Sequence, residues 1–395
     1  MYYSIIAEKD ATIYERSESL NSGIDEILEI QKVVSASTTN DTYNSRILIK
    51  FNLTSISKSV SRGTITNPTY SLDLYTVKAK DLAYNYGLEV YPISQSWDMG
   101  KGRTHTRKAS PGGSLIYEKE GVSWKYRDGE QYFGNVWSTA SIGIGGQSSG
   151  STGSYATIGG GGTWHTGSRY RGSRTYNYEQ TDLSINVTSI VENWLTGSHV
   201  GSSIPNEGFI ILRSGSNQAG YVDEEKNAKP YGTIQFFSKE THTVYQPKLT
   251  VTWDDSSFNT GNLSALDIAT DNIIYVKNNR GKYKKNSRER FRIVGREKYP
   301  TKTYATKSAE LTVKYLPSSS YYAIKDNVTN EIIIPFNTGS TKISCDSQGN
   351  YLDLWMDQFY AERRYGFLFK VISGSLESPT IERIYDADNS FKVVR

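Results

Sequence analysis

Residues 182–197 read DLSINVTSIVENWLTG. Leu183, Ile185 and Val187 alternate with polar residues, the period-two pattern of a half-buried strand. Then the period changes. Ile190, Val191, Trp194 and Leu195 fall on one face of a short helix. Ser189 and Glu192 have capping-box spacing, and Gly197 supplies a stop. A helix this short is unstable alone, so its apolar face must pack against other elements.

Nearly everything around it reads as strand and turn. Gly208 to Arg213 is a continuous apolar run, the pattern of a strand buried on both faces. Thr233 to Ser238 and Lys248 to Trp253 follow. Upstream, Ala11 to Tyr14, Glu26 to Ile30, Tyr70 to Thr76 and Leu88 to Ile93 are strand-like. In Arg46 to Leu53, Ile47, Ile49, Phe51 and Leu53 alternate, with mixed residues on the other face. Asn21-Ser22-Gly23 is turn chemistry. Many short strands separated by polar turns predict a β-sandwich over residues 1–255.

Residues 138–175 interrupt the pattern with a Gly/Ser-rich insertion that contains the run Gly159 to Gly162. The run lacks the Gly-Lys-Ser/Thr ending of a phosphate loop. A long surface loop ordered by neighbouring subunits is the expectation. Residues 256–272 are polar and read as a linker. Residues 273–395 are strand-rich again, enough for an immunoglobulin-like sandwich. The fold class is therefore all-β, with two sandwiches.

The chain of 395 residues carries 30 tyrosines, which favour strands and wet contact surfaces. The net charge of +4 is too weak to point to nucleic acid. One basic run stands out, with Arg280, Lys282, Lys284 and Lys285; it reads as a solvated loop or hairpin, with a phosphate-binding patch or subunit contact as the alternative. The single cysteine, Cys345, allows no internal disulfide. No stretch is long and apolar enough to span a membrane as a helix, and the first residues show no secretion signal.

Residues 8–253 resemble the DNRLRE-type β-sandwich, a carbohydrate-binding-module-like family. The resemblance runs through Asp10-Ala11-Thr12-Ile13-Tyr14, Asn21-Ser22-Gly23, Ser45 to Leu53, the paired Gln95-Ser96-Trp97 and Val122-Ser123-Trp124, Asp182 to Leu195, Asn206-Glu207-Gly208-Phe209 and Gln246 to Val251. It implies a jelly-roll-like sandwich in which Ile190, Trp194 and Leu195 form a plug over one end. The insertion, the tyrosines and the missing signal depart from the secreted members and resemble a tailed-phage virion protein. The stretches around Tyr322, Ile333, Gly349 and Tyr365 resemble β-domains of phage tail, neck and baseplate proteins.

The residues show no catalytic constellation. His105, His165, His199 and His242 are not spaced for zinc, and no nucleophile motif occurs. Asp223-Glu224-Glu225 and Asp353 with Asp357 are carboxylate groups of the kind a glycosidase uses, but such pairs are frequent by chance and sequence does not fix their separation. No cofactor, metal site or enzymatic activity is expected. The candidate contact with a glycan or a neighbouring subunit is Trp164, His165, Tyr170 and Arg171, where an exposed ring could stack on a flat ligand. The expected function is assembly in a virion, in the neck, tail, baseplate or capsid surface, with other virion proteins as partners and with copies of itself in a homo-oligomer or symmetric ring. The alternatives are an adhesin for a host surface polysaccharide and a polysaccharide-degrading enzyme.

Overall fold

The computed structural model describes residues 1–34, 42–104, 108–109, 115–116, 120–129, 134–137, 144–146, 160–177, 181–196, 203–214, 224–225, 227, 229–300, 304, 312–373 and 381–395. Strands dominate, and the described α-helices are Thr54–Ser61 and Thr188–Leu195. The architecture is an all-β sandwich. His105, His199, Gly197, Asp223 and most of the Gly/Ser insertion lie outside the described residues. Among those described, no helix is long and apolar enough to cross a membrane.

The chain divides into two compact units. One comprises residues 5–64 and 69–250; the other comprises residues 1–4, 65–68 and 251–395. Residues 256–272, expected as a linker, belong to the second unit. Leu266 and Ile268 are buried in its core, and Ser264–Ala265 pairs in parallel with Lys314–Tyr315. Polar neighbours hide this alternating apolar pair in the sequence.

In the N-terminal unit, Gly172–Tyr176, Tyr86–Pro92, Phe209–Arg213, Thr42–Phe51 and Tyr2–Tyr14 are successive neighbours in one sheet. Ile27–Val34 also joins Thr42–Phe51 and continues into Gly232–Phe237 and Thr76–Lys80. Phe209 stands opposite Ile49, and Ile211 opposite Ile47, so these side chains share one face. The helix Thr188–Leu195 packs on this face. The Trp194 ring is 4.6 Å from that of Phe209, which is 6.1 Å from Phe51. Ile190 and Val191 are fully buried, and Leu195 is half-buried.

The capping box expected at Ser189 and Glu192 does not form. The helix begins at Thr188, without a side-chain cap on its first turn. Asn186 Oδ1 accepts the Thr188 N–H (2.9 Å), and Thr188 Oγ1 accepts the Tyr70 N–H (2.9 Å). The helix is thus tied to the strand Thr69–Leu74, which a local spacing rule does not register. Asn206-Glu207-Gly208-Phe209 has a similar local logic. Asn206 bonds Phe51 O (2.9 Å) and receives the Gly208 N–H (3.1 Å). Gly208 has φ +97°, and a Cβ there would come within 2.4 Å of Ile49 O, so only glycine fits.

The C-terminal unit contains two sheets. One includes Asn272–Lys277, Arg288–Glu297, Gly349–Trp355 and Ser344–Asp346; the other runs Lys282–Lys284, Ile381–Val394, Arg364–Ser373, Ser320–Asp326 and Ile332–Ile334. Phe291, Phe359, Phe367 and Phe391 meet in their shared core, with Phe291 and Phe367 rings 5.0 Å apart.

Candidate functional site

The strand Thr42–Phe51 is buried on both faces. Its second face carries Arg46 and Leu48, and the register puts Leu48 beside Ile210 and Ile210 beside Tyr91. Over this face lie Trp97, Trp124, Trp137 and Trp164, in one core cluster with Leu48, Ile210 and Leu212. The long segment between the strands Tyr86–Pro92 and Gly172–Tyr176 therefore contributes a second core.

Arg46 is the polar centre of this core. Its guanidinium forms a bidentate ion pair with Glu225, with Nε 3.0 Å from Oε1, and both side chains are about 95% buried. It lies 4.8 Å from the Trp124 ring and 5.1 Å from the Trp164 ring, the distances of cation–π contacts. Its Nη1 donates to Gly161 O. Gly161 has φ +71°, and a Cβ would meet that same Nη1 at 2.4 Å. The described end of the glycine run is thus a close approach of backbone to a buried arginine.

This corrects the reading of Trp164 as a surface contact. Its side chain is 2% exposed, on the strand Thr163–His165 that pairs with Ile144–Gly146. His165 and Tyr170 are half-buried, their rings 5.6 Å apart. Arg171 is held by Glu89 at 2.7 Å, and the buried Glu89 also accepts the Tyr91 hydroxyl at 2.6 Å. The four residues divide between the inner core and its rim, and they form no open stacking platform.

A second set of buried charges lies beyond Glu225. Lys32 Nζ donates to the carbonyls of Glu224 and Glu225, both at 2.6 Å. Arg213 donates to the carbonyls of Tyr231 and Gly232, both at 3.1 Å, and lies 3.9 Å from Glu224. Burial brings the Arg213 pKa down to about 10, so it stays charged at neutral pH. Burial pushes Glu224 up to about 7, against the pull of the Gly87 N–H, Arg213 and Ser214. Burial likewise lifts Asp10 to about 7, although the Lys239 N–H bonds it at 2.6 Å.

Both acids hold protons in the folded state at pH values where the unfolded chain, with ordinary values of 4.5 and 3.8, has released them. Stability therefore rises as pH falls from about 7 towards about 4. His165, whose pKa burial lowers from 6.5, opposes this at the acid end. The thermal midpoint of the N-terminal unit is expected to climb as pH is lowered from about 8 to about 6.5, and Asp10→Asn is expected to flatten the slope. An Asp10→Asn protein with the parent slope would sink this assignment.

A polar cleft of about 300 Å³ in this unit is lined by Tyr14, Asp25, Glu26, Ile27, Glu29, Arg103, Thr104 and Gln235. Glu29 accepts the Tyr14 hydroxyl (2.8 Å) and the Gln235 amide (2.5 Å). Asp25 accepts the Thr104 N–H at 3.1 Å. Burial and Glu29 push the Tyr14 pKa well up, so it remains a donor. The exposed Arg103 completes a set of donors and acceptors suited to a hydroxyl-rich ligand.

No family model matches this chain, and no curated protein matches it. The resemblance to the DNRLRE-type sandwich rests on its residues alone.

The carboxylates weighed for glycoside chemistry have structural partners. Glu224 and Glu225 sit in the buried network. Asp353 binds Arg288 and Arg290, and Asp357 accepts the Tyr3 hydroxyl at 2.6 Å. Among the described residues, no group of His, Cys, Asp or Glu is placed to hold a metal ion. Arg280, Lys282, Lys284 and Lys285 are all exposed, and Lys282–Lys284 is an edge strand of its sheet. Lysines on an edge discourage pairing with other strands, which gives this run a role that needs no ligand. The sequence signal that would have exposed the second core is tryptophan density: four of the seven tryptophans fall between two strands, in a stretch too long for a simple loop.

Proposed function

We propose that this protein is a structural component of a tailed-phage virion, acting by assembly with other virion proteins or with copies of itself rather than by catalysis. One observation carries the reading. The tryptophans and carboxylates that would serve sugar stacking or glycoside hydrolysis are consumed inside the fold, around Arg46, Glu225 and Asp353. The buried ion pairs and tryptophan core make a rigid scaffold, a suitable basis for sheet-built contacts. Mass spectrometry of purified particles tests it: the protein should appear at a fixed ratio to the portal, and antibody labelling should mark one position on the particle. Its absence from particles overturns the reading.

The cleft beside Tyr14 favours a second reading, an adhesin for a hydroxyl-rich glycan. Binding on a glycan array that is lost in Arg103→Ala would support it. Equal signals from parent and variant would remove the cleft from consideration.

A further inference from the structure

We propose that the C-terminal unit contains a binding pocket for a tetrahedral oxyanion, a phosphate or sulfate group, in which Lys342, Tyr322, Ser344, Arg288 and Arg290 supply the donors. These residues line a polar cavity of about 150 Å³ with Met1, Asp255, Tyr351, Leu352 and Asp353. A cavity of this size admits one such group and its water.

The donors converge on the cavity from separate strands. Tyr322 lies on the strand Ser320–Asp326 and is 2% exposed, yet its hydroxyl makes no hydrogen bond with the described protein. Burial, with the fields of Asp255 and Asp353, pushes its pKa far up, so the hydroxyl keeps its proton. Tyr322 lines the cavity, where its hydroxyl can donate to a bound acceptor. Ser344 is also buried; its Oγ accepts the Ser257 N–H at 3.2 Å, which leaves its own proton to donate. Lys342 is half-buried and has no ion-pair partner among the described residues.

The two acids that share the cavity are already engaged. Asp353 is bound by Arg288 at 3.0 Å and by Arg290 at 2.8 Å, and Asp255 lies 2.8 Å from the Met1 amino group. The Tyr351 ring, 4.1 Å from the Arg290 guanidinium, fixes that group over the strand Gly349–Trp355. Asp353 uses Arg290 Nε and Nη2 and Arg288 Nη2, so further N–H groups of both guanidiniums remain to face an anion. Three side-chain cations against two paired carboxylates leave the cavity with surplus donors and positive charge. That combination calls for an acceptor with several oxygens and a negative charge.

Phosphorus NMR on the full chain tests this, with inorganic phosphate and with methyl phosphate as probes. The expected result is saturable line broadening with a dissociation constant on the order of 1 mM, reversed by added sulfate. Tighter binding of inorganic phosphate would identify a free ion as the ligand, and tighter binding of methyl phosphate an esterified group. Tyr322→Phe preserves the ring and is expected to weaken binding about tenfold. Lys342→Met, which keeps the apolar stem, is expected to weaken it by about as much or more. Absence of saturable binding, or binding equal to the parent in both folded variants, overturns the proposal. Both readouts are independent of particle assembly, so this result stands apart from the virion reading.

Discussion

Replacing Arg46 with alanine is expected to destabilise the N-terminal unit by about 3–5 kcal/mol. The substitution leaves the Glu225 carboxylate, about 95% buried, without its bidentate partner. It also strips the Gly161 carbonyl of its guanidinium donor and empties the space between Trp124 and Trp164. An isolated buried charge costs more than the pair contributes, because desolvation is suffered without compensation. The double replacement Arg46→Met with Glu225→Leu should recover much of the loss, since it removes both charges and refills the volume. Denaturant titration of the parent, Arg46→Met, Glu225→Leu and the double variant closes the cycle. Equal stability of Arg46→Ala and parent would mean that the pair is open to water.

Arg46 also shows where sequence reasoning succeeds and where it stops. The alternation of Ile47, Ile49 and Phe51 is a local signal, and the structure buries that face. The opposite face, Arg46-Leu48-Lys50, reads only as mixed. Its cover comes from tryptophans far along the chain, and the acid that neutralises Arg46 is 179 residues away. No local period records such a partner. The helix Thr188–Leu195 is legible because its apolar spacing is local, while its true start at Thr188 depends on Tyr70. The helix Thr54–Ser61 was not anticipated, although Leu53, Ile56 and Val60 have helical spacing. Only Ile56 is buried within it, so its amphipathic signal is thin.

The candidate site divides the same way. Asn21-Ser22-Gly23 reads as turn chemistry, and in the structure Asn21 is fully buried. Its amide nitrogen bonds the carbonyls of Met99 and Val122, both at 2.8 Å, and its oxygen accepts the Gly102 N–H at 2.6 Å. A turn residue and a buried clamp use the same asparagine chemistry; only tertiary structure tells them apart. The oxyanion pocket likewise has no motif, because its donors come from strands that are distant in sequence. Trp164 was singled out for its glycine-rich surroundings. Those glycines let the backbone close over Arg46, which makes them a mark of tight packing at this place.

Trp164→Ala is therefore expected to act through stability, with a loss of about 3–5 kcal/mol. The ring is 2% exposed, 6.2 Å from Tyr91 and within cation–π distance of Arg46. Removing it opens a large cavity in the second core, where the backbone bridge between Ile93 and Trp164 limits collapse. The thermal midpoint should fall by roughly 2–4 °C for each kcal/mol lost. Trp164→Phe should lose less, because it keeps an aromatic ring against Arg46. The Trp164→Ala loss should also be smaller in an Arg46→Met background, since the two side chains touch and their effects are coupled. A glycan-stacking role makes the opposite forecast: a folded Trp164→Ala protein with parent stability and no glycan binding. Calorimetry and glycan binding on the same preparation separate the two, and a stable variant that has lost only its ligand would return Trp164 to the surface.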